Sequence, residues 1–296
     1  MIRVDRSPAF PLRASTLVPR LSRLVAAVVL AAFATSCTPV EVPPFRVGVP
    51  LWVPGEFAFV AGELGYFNDQ EVELVHYGSP IELARHFREG SLDAAALTLD
   101  FAPYLAESMP SVDVVFVIDV SHGADAIISV AAVRTLENLR GLRVGVESGP
   151  LGAHMLLRGL KAGGLERGDV EIVSVDTEDQ FDAFLADKVD AVVTYEPDVT
   201  RLVRAGGVTL FDSSRIPGRI VDVLITPTAT AEQMAPILRK LIAGWLGAFA
   251  RLQADRAVIV PRLASALSTD SGVVETALAG VRLGDLAINR ELLGGR

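Results

Sequence analysis

Short apolar runs alternate along the chain with segments whose apolar residues recur at helical spacing. The runs are rich in Val, Ala, Ile and Leu without strict polar alternation, which is typical of strands buried on both faces. Alternation of such strands with helices predicts an α/β fold with parallel sheets flanked by helices. The predicted strands are 45–51, 72–78, 94–100, 112–119, 142–147, 169–176, 191–196 and 208–214.

Helix start signals support this pattern. Ser79 can cap a helix whose first residue is Pro80, and Glu82 completes a capping box. A helix is predicted over 150–162, and further capping pairs are Thr177 with Gln180 and Thr230 with Gln233. Apolar residues then recur every three or four positions from 234 to 252, which predicts a long amphipathic helix in the tail.

The predicted strands and helices fall into two sets, one before about residue 120 and one after about residue 140. Two extended, apolar segments, 121–133 and 219–227, flank the second set, and each contains one Asp. We call them the first and second crossing segments, because we predict that they connect two lobes of the protein.

Residues 1–36 are predicted to be an export signal. Five arginines precede an apolar run over 24–34, which is shorter than the roughly 20 residues of a membrane span and fits a signal peptide. The following Ala34-Thr35-Ser36-Cys37 resembles the lipobox of bacterial lipoproteins, although the usual Leu is replaced by Ala34. Cys37 is the only cysteine, and lipidation would explain a lone Cys in an exported chain. The alternative is an ordinary cleavage site beside an incidental Cys; residues 37–43 are predicted to be a tether.

The charge of the chain limits its partners. The net charge is −9, and removal of residues 1–36 takes away five Arg and one Asp, which leaves about −13. A nucleic-acid-binding protein needs a basic surface, so we expect no nucleic acid partner. Attraction to anionic lipid by charge is excluded for the same reason, and contact with a membrane is expected only through the lipid anchor.

Ligands of open parallel sheets bind outside the carboxyl ends of the strands. The ligand-binding candidates at these ends and in the crossing segments are Trp52, Glu56, Asp100, Ser121, Asp125, Glu147, Ser148, Tyr195, Glu196 and Asp222. This set contains six carboxylates and no Lys or Arg. Carboxylates pair with ammonium or guanidinium groups, and aromatic faces add roughly 0.5–2 kcal/mol by cation–π attraction. We therefore predict a small nitrogenous ligand that carries a cationic group.

Several of these residues could instead serve the fold alone. Asp125 and Asp222 could pair with Arg215 or Arg219, and Glu196 could cap the helix that follows it. An acid at the position of Glu147, just before a helix, is favoured by the helix dipole alone. Backbone N–H groups of 148–152 could bind an anion, which is the main support for an anionic ligand. The four histidines are scattered, and we predict no metal site.

Six stretches, in order along 45–227, carry a resemblance to a known family. They are 52–67 (WVPGEFAFVAGELGYF), 89–96 (EGSLDAAA), 121–128 (SHGADAII), 139–149 (LRGLRVGVESG), 189–197 (VDAVVTYEP) and 213–224 (SSRIPGRIVDVL). In these stretches the chain resembles the periplasmic solute-binding proteins of the group that includes nitrate, sulfonate, taurine and thiamine-pyrimidine receptors.

The resemblance implies a type-II periplasmic binding protein fold of two lobes, each with a mostly parallel sheet. Lobe I would comprise 44–121 and 223–296, and lobe II would comprise 122–222. The ligand would lie in the cleft, and the crossing segments would act as a hinge. The implied partners are the permease and ATPase subunits of an ABC importer, and we expect a monomer without cofactor. The exported protein is expected to be lipid-anchored at the cell envelope, periplasmic or on the outer face of the cytoplasmic membrane.

An enzyme is the main competing class, because fold alone does not decide function. The same fold includes a pyrimidine-forming enzyme and menaquinone-pathway enzymes, which are cytosolic. This chain has a predicted export signal and no GxSxG, HExxH or CxxC motif. We therefore expect a receptor; the alternatives are a receptor for a small anion such as a sulfonate, or an enzyme that acts on a pyrimidine-like compound. A receptor could also present its ligand to a separate sensor.

Overall fold

Two β-sheets and the strands that pass between them organise the protein. The structure is a computed structural model that describes residues 43–294. The predicted export signal, Cys37 and nearly all of the predicted tether lie outside the described residues. None of the described helices is long and apolar enough to cross a membrane.

The chain forms eleven described strands. In chain order they are β1 Phe45–Pro50, β2 Val72–Tyr77, β3 Ala94–Thr98, β4 Val112–Ser121, β5 Asp125–Ser129, β6 Arg143–Val146, β7 Glu171–Ser174, β8 Ala191–Tyr195, β9 Val208–Asp212, β10 Val221–Pro227 and β11 Val281–Leu283. Each predicted strand overlaps one of these, β4 extends past its predicted end to Ser121, and β5 and β10 lie in the two crossing segments. Strand β11 is a short strand in a tail that was expected to be helical.

The described helices connect and cover the strands. They are α1 Phe57–Glu63, α2 Pro80–Arg88, α3 Phe101–Ala106, α4 Pro150–Ala162, α5 Thr177–Leu185, α6 Asp198–Arg204, α7 Thr228–Gln233, α8 Ala235–Ala254, α9 Arg256–Ala266, α10 Ser271–Ala279 and α11 Leu286–Leu293. Short 3₁₀ helices cover Leu136–Leu139, Arg167–Asp169 and Ser213–Arg215.

The strands form two mixed sheets. The six-stranded sheet has the order β11-β4-β10-β3-β1-β2, and the five-stranded sheet has the order β7-β6-β8-β5-β9. In the first, β1 is parallel to β2 and β3, whereas β10 runs antiparallel to β3 and β4. In the second, β6 is parallel to β7 and β8, whereas β5 runs antiparallel to β8 and β9.

The expectation of mostly parallel sheets thus needs a correction at β5 and β10. Both strands arrive from the other sheet. Each begins at the edge of its new sheet where the two neighbouring strands end. It therefore runs against its neighbours. Strand β5 belongs to the first crossing segment and β10 to the second. The lobe boundaries themselves remain a prediction.

Two of the predicted helix starts agree with the structure and two do not. Helix α2 begins at Pro80, with the Ser79 hydroxyl accepting the Glu82 N–H at 3.5 Å, and α4 has the predicted bounds. Thr177 does not cap α5: Asp176 precedes that helix, and the Thr177 hydroxyl donates to a buried glutamate instead.

The long tail helix begins later than its predicted cap. Thr230 lies inside the short helix α7, and α8 begins at Ala235 after Met234. Pro236 stands in the first turn of α8, where the N–H that proline lacks would have no partner within the helix.

The apolar core of the six-stranded sheet anchors the loop that follows β1. Phe57 of α1 packs edge-to-face on Phe249 of α8, with ring centroids 4.9 Å apart. Trp245 of α8 is fully buried and donates its indole N–H to the Pro54 carbonyl at 3.1 Å. The long tail helix therefore fixes the loop that carries Trp52.

Candidate functional site

A small cavity lies where the two sheets meet. Its volume is about 30 Å³, room for about two water molecules. The walls are formed by Pro50, Trp52, Pro80, Leu97, Thr98, Phe101, Asp125, Leu151, Tyr195 and Asp222. Most of these residues lie at or after the carboxyl ends of β1, β3 and β8, at the start of β5 or on β10, so both sheets contribute.

An aromatic pair closes one side of the cavity across the two sheets. Trp52 follows β1 and Tyr195 ends β8, and their rings meet edge-to-face with centroids 5.7 Å apart. Such a pair contributes about 0.5–1.5 kcal/mol beyond the area it buries. Ala124, Val281 and Leu283 pack around the same two rings.

A row of polar side chains crosses the six-stranded sheet beside Trp52. Asp222 of β10 is paired in register with Thr98 of β3 on one side and with Asp119 of β4 on the other. The Asp119 and Asp222 carboxyls are hydrogen-bonded to each other. Burial, together with the neighbouring negative charge, raises the pKa of both groups, so a proton is held between them at neutral pH. Oδ2 of Asp119 accepts the Trp52 indole N–H at 3.0 Å.

Asp125 reaches the cavity from the five-stranded sheet. Its side chain is buried, and burial, reinforced by the charges of Asp222, Glu147 and Asp100, raises its pKa to about 8. Its Oδ2 has no hydrogen-bond partner among the residues that the structure describes. A buried polar atom without a partner costs free energy unless a bound molecule satisfies it. Asp125 is therefore a candidate ligand contact.

Glu147 lies directly behind Asp125 and Tyr195, in a small adjoining pocket. One carboxylate oxygen accepts the Thr177 hydroxyl at 2.7 Å, and the carboxylate also accepts the Gly152 N–H in the first turn of α4. Burial raises the pKa of Glu147. The N-terminus of α4, which the sequence suggested as an anion site, is therefore already occupied by the Glu147 carboxylate.

Four predicted site residues are placed away from this cavity. The fully buried Glu56 contacts Nε2 of His76 at 2.7 Å. The Ser121 hydroxyl contacts the Ser213 hydroxyl at 2.7 Å, where the first crossing segment meets the end of β9. Ser148 bonds the Ser174 hydroxyl at 2.7 Å, and Glu196 accepts the N–H and hydroxyl of Thr200 at 3.1 and 2.7 Å. Each of these side chains has a protein partner, although Oε2 of Glu56 has none among the described residues. Glu196 has the helix-capping role considered for it.

Asp100 lies near the cavity but outside it. It contacts Nδ1 of His154 at 2.6 Å, in an open groove of about 550 Å³ between α3 and α4. Sequence reasoning placed Trp52, Asp125, Tyr195 and Asp222 among the candidates, and the structure brings these four together at the cavity.

Sequence reasoning did not select Asp119 and Thr98. Asp119 is the last residue of a predicted strand. It follows the apolar run 114–118, and an acid at the end of such a run was the signal that could have identified it. Thr98 carried no signal that separates it from other strand hydroxyls.

The cavity contains no cationic side chain. Among the described residues, neither Asp125 nor Asp222 forms an ion pair with Arg215 or Arg219. Arg215 instead lies over the Phe211 ring, 4.8 Å from its centroid. No Lys or Arg lines the cavity. Within residues 43–294, no cluster of three or more His, Cys, Asp or Glu side chains could hold a metal ion.

A comparison with protein families decides the relationship. The sequence profile of the NMT1/THI5-like family matches residues 56–255, which is more than half of the chain. The chain belongs to the NMT1/THI5-like family. The matched segment extends from Glu56 through both crossing segments to the end of α8, so it includes most of the cavity walls.

Two similar proteins have names that describe them as sulfonate-binding proteins. A protein of Escherichia coli (strain K12) whose name describes it as an aliphatic sulfonates-binding protein is 21% identical over 216 residues, which cover 72% of this chain and 67% of that protein. The structure of the alkanesulfonate-binding protein SsuA from Xanthomonas axonopodis pv. citri, bound to MOPS, superposes with a TM-score of 0.68 at 21% identity, over 85% of this chain and 90% of that one.

An enzyme is also among the structural neighbours. The desulfurization enzyme DSZB superposes with a TM-score of 0.60 at 16% identity, over 81% of this chain and 89% of that one. The chain therefore has the periplasmic binding protein fold, with two mixed sheets flanked by helices, as expected. At these identities the likeness of the structures establishes the fold alone.

Proposed function

We propose that this protein is the extracytoplasmic solute-binding component of an ABC importer. The observation that carries the proposal is the cavity whose walls come from both sheets, with Trp52 and Asp222 on one side and Asp125 and Tyr195 on the other. A ligand held there contacts both halves and favours their closed arrangement, which is how differential affinity drives a conformational change. At about 30 Å³ the cavity admits a larger solute only when the sheets move apart.

An aliphatic sulfonate is the first ligand class that we propose. The names of the relatives favour this alternative over the cationic ligand predicted from the sequence. Apolar walls at Leu97, Phe101 and Leu151 suit an aliphatic chain. The carboxyls of Asp125 and of the Asp119–Asp222 pair have raised pKa values and hold protons at neutral pH. A protonated carboxyl is a hydrogen-bond donor, so these groups can bind sulfonate oxygens without a Lys or Arg.

A small organic cation is the second ligand class, and the unpaired Oδ2 of Asp125 favours it. An ammonium or amidinium group would donate to this oxygen, ionise the carboxyl and lie near the faces of Trp52 and Tyr195. No side chain that lines the cavity would repel a cation.

Titration calorimetry against pH separates the two classes. The exported form of the protein is titrated with an alkanesulfonate series and with an alkylamine series between about pH 6 and about pH 9, a window around the raised pKa of Asp125. Sulfonate binding needs the carboxyl protons, so the affinity should fall as pH rises. Cation binding needs the carboxylates, so the affinity should rise with pH and binding should release protons.

Controls complete the experiment. Asp125→Asn keeps the size of the side chain and removes its titration, so it should flatten the pH dependence in either case. Failure of both series to bind would contradict the proposed ligand classes. Because DSZB shows that the fold can host an enzyme, each bound compound is also incubated and analysed for products. Turnover would contradict a pure receptor function.

A further inference from the structure

We infer that Asp119 is a positioning residue, which holds the Trp52 indole as a wall of the ligand cavity through the bond between Nε1 and Oδ2. The functional meaning of this inference rests on the proposed function, since Trp52 matters as a cavity wall only if a solute binds there. The geometric part stands on the structure alone.

Asp119 acts on Trp52 and not on the cavity directly. Asp119 is fully buried and is absent from the residues that line the cavity, whereas Trp52 is one of them. The indole N–H of Trp52 has this carboxylate as its acceptor, at 3.0 Å. Asp119 lies behind the cavity wall and bonds the one polar atom of the Trp52 side chain. It therefore controls the orientation of the indole ring.

Packing alone does not fix which edge of the Trp52 indole faces Asp119. The apolar contacts of Trp52 come from Ala124 and Val281, which are small or β-branched, and from the edge of Tyr195. Such contacts confine the ring but do not distinguish its two edges. The hydrogen bond does, because only one edge carries the N–H, and an indole N–H buried without an acceptor would be costly.

An acid at position 119 binds the indole N–H more strongly than a neutral side chain would. A hydrogen bond to a charged acceptor is stronger than one to a neutral acceptor, but a buried charge is costly. The neighbouring Asp222 solves this conflict by sharing a proton with Asp119. Oδ2 can thus bind the indole while the proton lies between the two carboxyls. The further titratable groups that act on this pair are Asp125, beside Asp119, and Asp100, beside Asp222. Glu147 and Tyr195 lie beyond them, next to Asp125.

The test follows Trp52 by itself. The chain has two tryptophans, so Trp245→Phe leaves Trp52 as the only one. This change also removes the bond to the Pro54 carbonyl, so each Asp119 variant is made both with and without it and is compared only with the parent that has the same residue at 245. Asp119→Asn keeps an oxygen acceptor of the same size, and Asp119→Leu removes it. Asp113→Asn is the matched control, because Asp113 lies on the same strand, bonds the Thr228 hydroxyl at 3.0 Å and is absent from the cavity wall.

Near-ultraviolet circular dichroism and acrylamide quenching report the order and access of the Trp52 ring. Asp119→Leu should weaken the Trp52 band and raise quenching several-fold, whereas Asp119→Asn should restore both and Asp113→Asn should change neither. A folded Asp119→Leu protein with an unchanged band and unchanged quenching would overturn the inference.

A measurement on the unmutated site covers the case in which Asp119→Leu fails to fold. In the protein with both tryptophans, the Trp52 indole N–H, assigned as the resonance that remains in Trp245→Phe, should lie downfield in the NMR spectrum and exchange slowly with water. In Asp119→Asn it should move upfield and stay protected. Rapid exchange of this proton with Asp119 intact would also overturn the inference.

The functional arm uses an alkanesulfonate or alkylamine that binds the unmutated protein. Asp119→Leu should weaken its affinity about tenfold or more, and Asp119→Asn by no more than about threefold. Equal loss in both variants would overturn the positioning role. If neither probe binds the unmutated protein, the proposed ligand classes fail, while the spectroscopic results still decide whether Asp119 orients Trp52.

Discussion

Asp100 accepts a hydrogen bond from Nδ1 of His154 at 2.6 Å, and the two residues lie beside different sheets: Asp100 follows β3 of the six-stranded sheet, and His154 lies on α4, which follows β6 of the five-stranded sheet. Arg158, one turn further along α4, donates from Nε to Nε2 of His154 at 3.2 Å. Nε2 is therefore the acceptor nitrogen and Nδ1 carries the proton. This chain of donors spans the groove beside the cavity, where a solute that enters between the sheets would pass.

The Asp100–His154 bond should stabilise the closed arrangement. We expect His154→Ala to weaken the affinity for a cavity ligand by about three- to tenfold, because one bond to a carboxylate is lost between halves that must close. Small-angle X-ray scattering should show a larger radius of gyration for the unliganded variant. Leu157→Ala is the control, since this exposed residue lines the same groove without a side-chain hydrogen bond. Equal effects of the two variants would contradict the prediction.

Cys37 provides a prediction about export that depends on the sequence alone. We propose that the chain is cleaved before Cys37 and lipidated there, so Cys37→Ser should abolish labelling by radioactive palmitate and release the protein from the membrane fraction. Ser36→Ala is the matched control, because it keeps a small residue before the Cys and should retain both label and membrane association. A Cys37→Ser protein that stays with the membranes would show that another feature anchors it.

The fold could be predicted largely because several of its strands, β3, β5 and β8 above all, are buried on both faces. Apolar runs such as β3 and β8 stand out from the polar segments around them, and Pro150 together with the run after it was enough to give the bounds of α4. The antiparallel insertion of β5 and β10 could not be predicted in this way. It depends on where the chain enters a sheet, and no local pattern records that.

The candidate site could be predicted only in part, because the direction of a side chain depends on its partners. Glu56 follows a strand end as Asp125 begins a strand, yet His76, a residue of β2, draws Glu56 away from the cavity. Asp119 was missed because its role comes from Trp52 and Asp222, which are distant in sequence. The positions of strand ends predict the edge of the sheet where a ligand binds. Contacts between residues distant in sequence determine which side chains at that edge face the cavity.

Gly284 should be intolerant of any side chain. A Cβ at this position would lie 1.8 Å from the Val117 carbonyl oxygen, which is backbone of β4 and cannot move aside. We expect Gly284→Ala to lower the free energy of unfolding by about 2–4 kcal/mol, as strain in a packed core does. Gly168→Ala is the control, because nothing lies within 4 Å of its Cβ position, and it should change stability by less than about 0.5 kcal/mol. Urea unfolding measures both, and similar midpoints would contradict the prediction.

Asp125 should make the protein less stable as pH rises. Its pKa is about 8 in the folded protein and about 3.9 in an unfolded chain, so between these values the folded state binds the extra proton. The free energy of unfolding therefore falls with rising pH, by up to about 1.4 kcal/mol per pH unit for this one group. Asp125→Asn cannot titrate and should remove that part of the slope in urea unfolding between about pH 5 and about pH 8. The raised pKa values of Asp119 and Asp222 should leave a residual slope of the same sign.

Asp113→Asn, on β4 and outside the cavity, should keep the unmutated slope. If Asp125→Asn also kept it, Asp125 would not carry its proton in the folded protein, and the donor role proposed for it toward a sulfonate would fail.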